Sequence, residues 1–67
     1  MSVAKVSEIT SSSKQSFEDA IKKGIARFSK TVDKVQGAWV AEQKVTVSGS
    51  EIDEYRVTLR VTFVLKD

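Results

Sequence analysis

The sequence predicts an α+β fold, a β-α-β-β unit in which a three-stranded antiparallel sheet curls around one amphipathic helix. The clearest observation is strict alternation near the C-terminus, where every second residue from Tyr55 to Leu65 is apolar. A second observation is an apolar stripe with helical spacing between Phe17 and Val35. A third is the mixture of β-branched and polar residues from Ser2 to Ile9, which favours a first strand.

The first predicted strand, residues 2–9, ends at a cluster of hydroxyl side chains, Thr10-Ser11-Ser12-Ser13. Because short polar side chains compete for backbone hydrogen bonds, we expect this cluster to end the strand and to cap the following helix. A hydroxyl run before a helix also resembles an anion site built from first-turn N–H groups, but the glycines and lysine of a phosphate-binding loop are missing. Capping is therefore the favoured role.

A helix is expected over about residues 14–33. Glu18 and Lys22, and likewise Asp19 and Lys23, are spaced four apart, which favours ion pairs along a helix. Gly24 lies on the apolar stripe, where a glycine costs about 1 kcal/mol relative to alanine. It indicates close approach of a neighbouring element, either the sheet or a helix of another subunit. The stripe consists of Phe17, Ala20, Ile21, Gly24, Ile25, Phe28, Val32 and Val35.

The C-terminal half, Gly37 to Leu65, is predicted to form one long β-hairpin whose turn lies at Ser48-Gly49-Ser50, with the acids that follow in the loop. In the first strand of this hairpin the apolar positions change from even to odd numbers. Either a β-bulge re-aims the strand or both of its faces are covered. The last strand buries its apolar row and offers a second face, formed by Arg56, Thr58, Arg60 and Thr62.

The size and composition predict one domain that assembles with copies of itself. A core of 67 residues rarely supplies more than ~3–5 kcal/mol, so small scaffolds need disulfides, metals or oligomerisation. The chain has no Cys and no His, which excludes disulfides and the usual zinc sites. We therefore expect an obligate homo-oligomer. The 11 basic and 9 acidic residues are interspersed, which does not favour nucleic-acid binding.

Catalysis and membrane association are not expected. The serines have no histidine to activate them, and the lysines lie on polar faces, without the burial that depresses a lysine pKa. No segment approaches the ~20 apolar residues of a membrane span and no secretory signal opens the chain, so we expect a cytoplasmic protein. Glu51, Asp53 and Glu54 do not have the spacing of a calcium-binding EF-hand, so solvated turn acids are favoured over an ion site.

Two features of the hairpin indicate a contact surface. Arg56 and Arg60 suit bidentate pairing with carboxylate or phosphate, and we favour pairing between subunits over ligand binding. Trp39 lies on the same side of its strand as Gly37. Its indole can fill a subunit contact, and it can also stack a flat heteroaromatic ligand.

Taken together, these features cover the chain nearly end to end and resemble the dodecins. That family has a β-α-β-β unit that assembles as a hollow dodecamer, and the resemblance implies the same assembly here. The residues that carry it are Lys5-Val6, Thr10-Ser11-Ser12-Ser13, Phe17, Ala26-Arg27, Val32-Asp33, Ala38, Glu42-Gln43, Glu54-Tyr55-Arg56-Val57 and Val61-Thr62-Phe63-Val64-Leu65.

The resemblance implies a non-catalytic binding and storage protein for a flavin-like molecule such as FMN, FAD or riboflavin. Flavin-binding dodecins hold pairs of flavins between a Trp on the second strand and a Gln on the third. These positions fall at Gly37 and Arg56, which supply neither the ring nor the amide, so the resemblance implies weakened or altered binding. The ligand-binding positions implied are Val3, Lys5, Arg27, Gly37, Trp39, Glu42, Lys44 and Arg56.

Two alternatives follow from these replacements. Trp39 stands two residues from the family's Trp position, about 7 Å along the same face, and could serve as a displaced stacking platform. The other is a structural or stress-related hollow assembly without flavin, with or without a bound ion. The resemblance is closer to family members without the Trp, such as the calcium dodecin.

Overall fold

The computed structural model describes residues 3–65. Their order is β1 (Ala4–Ser13), α1 (Phe17–Phe28), β2 (Val35–Ser48) and β3 (Glu51–Val64). The strands form one antiparallel sheet in the order β1-β3-β2, and α1 packs against β1 and β3. The predicted α+β fold with β-α-β-β order is confirmed. Ser2, the first residue of the predicted β1, lies outside the described residues.

The hydroxyl cluster belongs to β1 and is not a connector. β1 continues through Thr10, which pairs with Thr58, and as far as Ser13, which pairs with Tyr55. The prediction that the strand ends at Ile9 was wrong because β3 is 14 residues long and offers a hydrogen-bonding partner beyond that point. Ladder hydrogen bonds satisfy the backbone groups that the short side chains would otherwise compete for.

The cap of α1 comes from a later serine than expected. Ser16 is the N-cap residue, and its Oγ accepts a hydrogen bond of 3.0 Å from the Asp19 amide. Ser13, the last of the cluster, is buried; its Oγ accepts from the Gln15 amide at 2.9 Å and donates to Asp19 Oδ2 at 2.6 Å. Ser13 therefore holds the segment before the helix and contacts its first turn, but it is not the N-cap residue.

The helix is also shorter than the predicted residues 14–33, since it ends at Phe28 with Ser29 as the C-cap. Turn hydrogen bonds follow it, and Lys34 adopts a positive φ of 59° that redirects the chain into β2. Val35 consequently packs on the core from β2 and not from the helix. The apolar spacing continues past the end of the helix because Val35, the first residue of β2, also packs against the core.

Contacts along α1 agree with the sequence prediction. Lys22 pairs with Glu18 at 2.9 Å and Lys23 with Asp19 at 3.1 Å. A Cβ placed on Gly24 would lie 3.0 Å from the Ser11 Cβ and 3.2 Å from a Leu59 methyl carbon. Within the subunit, this glycine permits close approach of the helix to the sheet.

The hairpin turn lies where the sequence placed it, and Gly49 has the positive φ of 64° that the turn requires. The acids expected in the loop are instead in β3, which begins at Glu51. The predicted bulge in β2 is confirmed, because the β2–β3 register shifts between Val35 and Gly37, between Val40 and Glu42, and between Thr46 and Val47.

The core lies between α1 and one face of β3, where Val57, Leu59, Val61 and Phe63 are buried as predicted. The ends of the predicted row differ. Tyr55 is half-buried, with its ring 5.1 Å from that of Phe17, and Leu65 follows the end of β3 and is 42% exposed. Phe17 of the helix therefore covers Tyr55 in part, whereas Leu65 lies beyond the buried row.

β2 is an edge strand that the helix hardly touches. Val40 and Val45 pair with Leu59 and Tyr55 and so lie on the helix side of the sheet, yet they are 37% and 36% exposed. Within the subunit, the alternative that both faces of β2 are covered is therefore wrong. Within residues 3–65 no helix combines the length and apolar character needed to cross a membrane.

Candidate ligand-binding site

The face of the sheet opposite α1 has no covering element within residues 3–65, and we call it the open face. Its residues follow from the register, because residues paired across antiparallel strands share a face. Polar and charged side chains predominate on it. The open face comprises Val6, Glu8, Thr10 and Ser12 of β1, Arg56, Thr58, Arg60 and Thr62 of β3, and Gly37, Trp39, Glu42 and Lys44 of β2.

One row across the open face joins all three strands. Glu8 pairs with Arg60, and Arg60 pairs with Trp39. The Arg60 Nε donates to Glu8 Oε2 at 3.2 Å, and its guanidinium carbon lies 5.0 Å from the centroid of the Trp39 ring. This cation–π contact leaves the indole 64% exposed. The prediction that Trp39 and Gly37 share a side of β2 agrees with the register, since their partners Arg60 and Thr62 lie on one face of β3.

A cavity of about 380 Å³ lies further along the open face and combines cationic, acidic and hydroxyl groups. Arg56 pairs in register with Ser12 on one side and with Lys44 on the other. Its Nε and Nη2 donate to Glu54 Oε1 at 3.2 and 3.0 Å, which offsets part of its charge. Such a lining suits the polar edge of a ligand. The lining residues are Thr10, Ser11, Ser12, Glu42, Gln43, Lys44, Arg56 and Thr58.

The two positions where flavin dodecins carry Trp and Gln are far apart in one subunit. Gly37 pairs with Thr62, which is six residues beyond Arg56 on β3, or about 20 Å at the rise of a strand. Nothing lies within 4 Å of a Cβ placed on Gly37, so the space beside it is open.

The remaining implied positions lie elsewhere. The Val3 carbonyl accepts from the Leu65 amide at 2.9 Å, and Lys5 pairs with Phe63 on the helix side of the sheet. Arg27, on α1, donates to Thr31 Oγ1 at 3.0 Å. It borders a second cavity of about 480 Å³, lined by Ile9, Thr10, Ser11, Lys23, Gly24, Arg27, Phe28 and Thr31. The implied positions therefore divide into an open-face group (Gly37, Trp39, Glu42, Lys44, Arg56) and a separate group (Val3, Lys5, Arg27).

Two pKa shifts mark the first half of the helix and not the open face. A hydrogen bond from Ser13, and then one from Lys23, lowers the pKa of Asp19 below its ordinary value of 3.8. Glu18 raises the pKa of Lys22 above its ordinary value of 10.5. Within residues 3–65 no group of at least three His, Cys, Asp or Glu could hold a metal ion.

Glu8 is an open-face residue that the sequence did not indicate. It gains importance only through pairing of β1 with β3, which places it beside Arg60 and also brings Thr10 and Ser12 beside Thr58 and Arg56. Alternation within β3 identified Arg56 and Arg60, but no local signal gives the register of β1, which is separated from β3 by the helix and β2. The signal that could have found Glu8 is its opposite charge to Arg60 on an alternating strand.

The dodecin family model matches residues 3–66. The chain belongs to the dodecin family. A variant of the Thermus thermophilus dodecin is 31% identical, with 100% of each chain covered and a TM-score of 0.94. The dodecin of Streptomyces davaonensis is 27% identical, with 98% of this chain and 97% of that chain covered and a TM-score of 0.94.

A third dodecin extends the comparison to an ion-binding protein. Calcium dodecin of Mycobacterium tuberculosis is 34% identical, with 96% of this chain and 91% of that chain covered and a TM-score of 0.83. It is described as calcium-chelating, with a novel calcium-binding site. No match was found among curated proteins. Dodecins are small-molecule-binding proteins.

Proposed function

We propose that this dodecin is a cytoplasmic, non-catalytic homododecamer that binds and stores a flavin-like small molecule, with binding altered from that of dodecins that carry the Trp and Gln pair. The observation that carries the proposal is Trp39, an indole 64% exposed on the open face of a dodecin fold. An exposed indole is the side chain best suited to hold a flat heteroaromatic ring.

Self-assembly is supported by the uncovered helix side of β2. Val40 and Val45 expose apolar surface there, on an edge strand 14 residues long. Exposed apolar patches favour association with another chain, and a small core without disulfides gains stability from it. A second copy of the chain is the occupant proposed for this side of β2.

Altered binding is supported by the residues that stand at positions 37 and 56. Gly37 has open space where the family's ring would stand, and Arg56 carries charge where the family places a neutral amide. Trp39 and the cavity around Arg56 remain available on the same face. The proposed ligand stacks on Trp39 and reaches Arg56 of a neighbouring subunit with its polar edge.

A storage role is supported by the absence of an activated nucleophile. The chain has no His and no Cys, and every lysine within residues 3–65 is exposed, so none gains reactivity from burial. The groups on the open face can bind and orient a ligand, and no acid–base pair there is placed to turn it over.

The test is a titration of riboflavin and FMN with the purified protein, following flavin fluorescence, together with native mass spectrometry. We expect quenching at micromolar flavin and a particle of twelve subunits with flavin bound. Trp39→Phe should retain part of the quenching, because it keeps a ring, whereas Trp39→Ala should lose it. Absence of quenching with the parent protein would overturn flavin binding, and a particle with another subunit number would overturn the dodecamer.

A second candidate function is a hollow assembly that binds ions and no flavin. It is favoured by the missing ring at Gly37 and by the similarity to calcium dodecin. Because no cluster of three carboxylates occurs within residues 3–65, the ion would be held by carboxylates from more than one subunit. Calcium binding would appear in native mass spectra and as a rise in Tm that EGTA reverses. An unchanged Tm together with calcium-free spectra would rule it out.

A further inference from the structure

The row Glu8–Arg60–Trp39 places a paired cation against the side of an exposed indole. Arg60 lies between its two neighbours on the central strand, with Glu8 at 3.2 Å and the Trp39 ring centroid at 5.0 Å. The side chains of Arg60 and Glu8 are 46% and 58% exposed, so both can interact electrostatically with a bound ligand. Among the described residues, Glu8 is the only ion-pair partner of Arg60.

Only one face of the indole is occupied. Arg60 comes from β3 and lies against the ring on that side, whereas β2 is an edge strand and, within residues 3–65, no strand lies on its other side. Gly37, two residues along β2 on the same face, adds no side chain to close the space. The high exposure of Trp39 agrees with a ring that has one free face. Another flat ring can stack there without displacing Arg60.

We propose that Trp39 and Arg60 act as one stacking platform that selects planar aromatic anions over neutral or cationic rings. This proposal rests on the proposed function, because it takes the open face as the ligand-binding surface. It adds the class of ligand, an anionic aromatic ring, and names Arg60 as the residue that determines this preference. The guanidinium offsets the negative quadrupole of the indole and supplies a positive charge beside the stacked ring. Glu8 reduces that charge and so moderates the preference.

A second copy of the chain is not the occupant that this part of the surface favours. In this row the indole is flanked by the charged pair Glu8–Arg60, whereas the exposed Val40 and Val45 of β2 pair with core-face residues and lie on the opposite side of the sheet. Burial of an exposed ion pair in a subunit contact carries a desolvation cost that a stacked anion avoids. Charge complementarity therefore points to a small anionic ring at Trp39.

The test uses three ligands with the same ring and different charge: naphthalene-2-sulfonate, 2-naphthalenemethanol and 2-naphthylmethylammonium. Because Trp39 is the only tryptophan, 5-fluorotryptophan labelling of the intact assembly gives one fluorine NMR resonance that reports on this ring alone. We expect the sulfonate to bind about two- to fivefold more tightly than the alcohol, as expected of an exposed charge pair, and the ammonium to bind more weakly than either. The preference should disappear at about 1 M salt, where the Debye length is ~3 Å.

Two substitutions in the row should act in opposite directions. Arg60→Gln should abolish the preference for the sulfonate while the alcohol still binds, and Glu8→Gln should increase it. Lys14→Gln is the matched control, because it removes one positive charge that pairs with Asp53 away from the row. If Arg60→Gln does not assemble, the expected increase in Glu8→Gln decides the matter. A merely structural role of Arg60 would change the affinities of all three ligands together.

The outcomes separate this proposal from the proposed function. Equal affinities for the three rings, a preference that survives in Arg60→Gln, or a resonance that responds to none of them because a second copy covers Trp39 would each overturn it. Selection of the sulfonate without flavin quenching would support the platform and overturn flavin storage. Flavin quenching without charge selection at Trp39 would support flavin storage and overturn the stacking platform.

Discussion

The Ser13 hydroxyl donates a hydrogen bond of 2.6 Å to Asp19 Oδ2 and thereby ties the end of β1 to the first turn of α1. Asp19 also pairs with Lys23 at 3.1 Å, and its amide donates to the N-cap Ser16. The carboxylate is thus held by a buried hydroxyl, by a cation and by its place near the positive end of the helix. This connection orients the helix over the sheet.

Stability should fall in acid through Asp19. Its pKa is lowered in the folded state, mainly by Ser13 and then by Lys23, so the folded protein binds fewer protons than the unfolded chain near that pKa. The contribution is fully present above the ordinary carboxyl pKa of 3.8 and is lost as pH falls through the lower folded value. Urea unfolding between pH 2 and pH 7 should show a smaller acid dependence for Asp19→Asn than for the parent. Equal slopes for the two proteins would contradict the assignment.

Gly24→Ala should destabilise the protein although alanine favours helix. The added Cβ would lie 3.0 Å from the Ser11 Cβ and 3.2 Å from a Leu59 methyl carbon. Overpacking of ~1–3 kcal/mol exceeds the ~1 kcal/mol gained in helix propensity, so we expect a net loss of about 1 kcal/mol. Ala26→Gly, at an exposed position of the same helix, gives the propensity term alone. Thermal unfolding in which Gly24→Ala is more stable than the parent would show that the contact relaxes freely.

Gly37→Trp should strengthen flavin binding. The position has open space for a side chain, and a ring there would restore the stacking residue that flavin-binding dodecins carry. Stacking contributes about 1–3 kcal/mol per ring, which corresponds to a five- to 150-fold increase in affinity. Flavin fluorescence titration measures it, and Gly37→Ala separates the effect of the ring from that of added bulk. An affinity unchanged by the Trp would mean that a flavin does not stack at this position.

Charge reversal on the open face should weaken the assembly. Arg56→Glu would place a carboxylate beside Glu54 and so replace an ion pair with repulsion. Arg56 is the residue proposed to lie near a neighbouring subunit, where charge reversal is poorly tolerated. Size-exclusion chromatography should show smaller species for Arg56→Glu and an unchanged particle for Lys14→Glu. An unchanged large assembly for Arg56→Glu would refute its place at a subunit contact.

The parts predicted correctly from the sequence are those that depend on neighbouring residues. The alternation in β3 gave its buried row, the spacing of Glu18 and Lys22 gave an ion pair, and Gly49 gave the turn. The boundaries were less accurate. β1 extends through the hydroxyl cluster because β3 pairs with it, and the helix ends at Phe28 although the apolar spacing continues.

The candidate site was predicted only in part. Arg56 and Arg60 were singled out from their alternation and Trp39 as the one indole of the hairpin, and the family resemblance supplied Gly37 as the position without a ring. The ion-pair partner of Arg60 was not predicted, because Glu8 lies 52 residues away in the chain. The separation of Gly37 from Arg56 was likewise invisible until the register was known.

The sequence by itself determined the fold class, the two faces of the last strand and the resemblance to dodecins, since side-chain periodicity follows from the geometry of each helix or strand. The tertiary structure alone decided which serine caps the helix, which side of β2 remains uncovered, and that Arg60 lies between Glu8 and Trp39. These depend on strand register and on the length of the helix over the sheet. Both are set by contacts between residues far apart in the chain, which a local pattern does not encode.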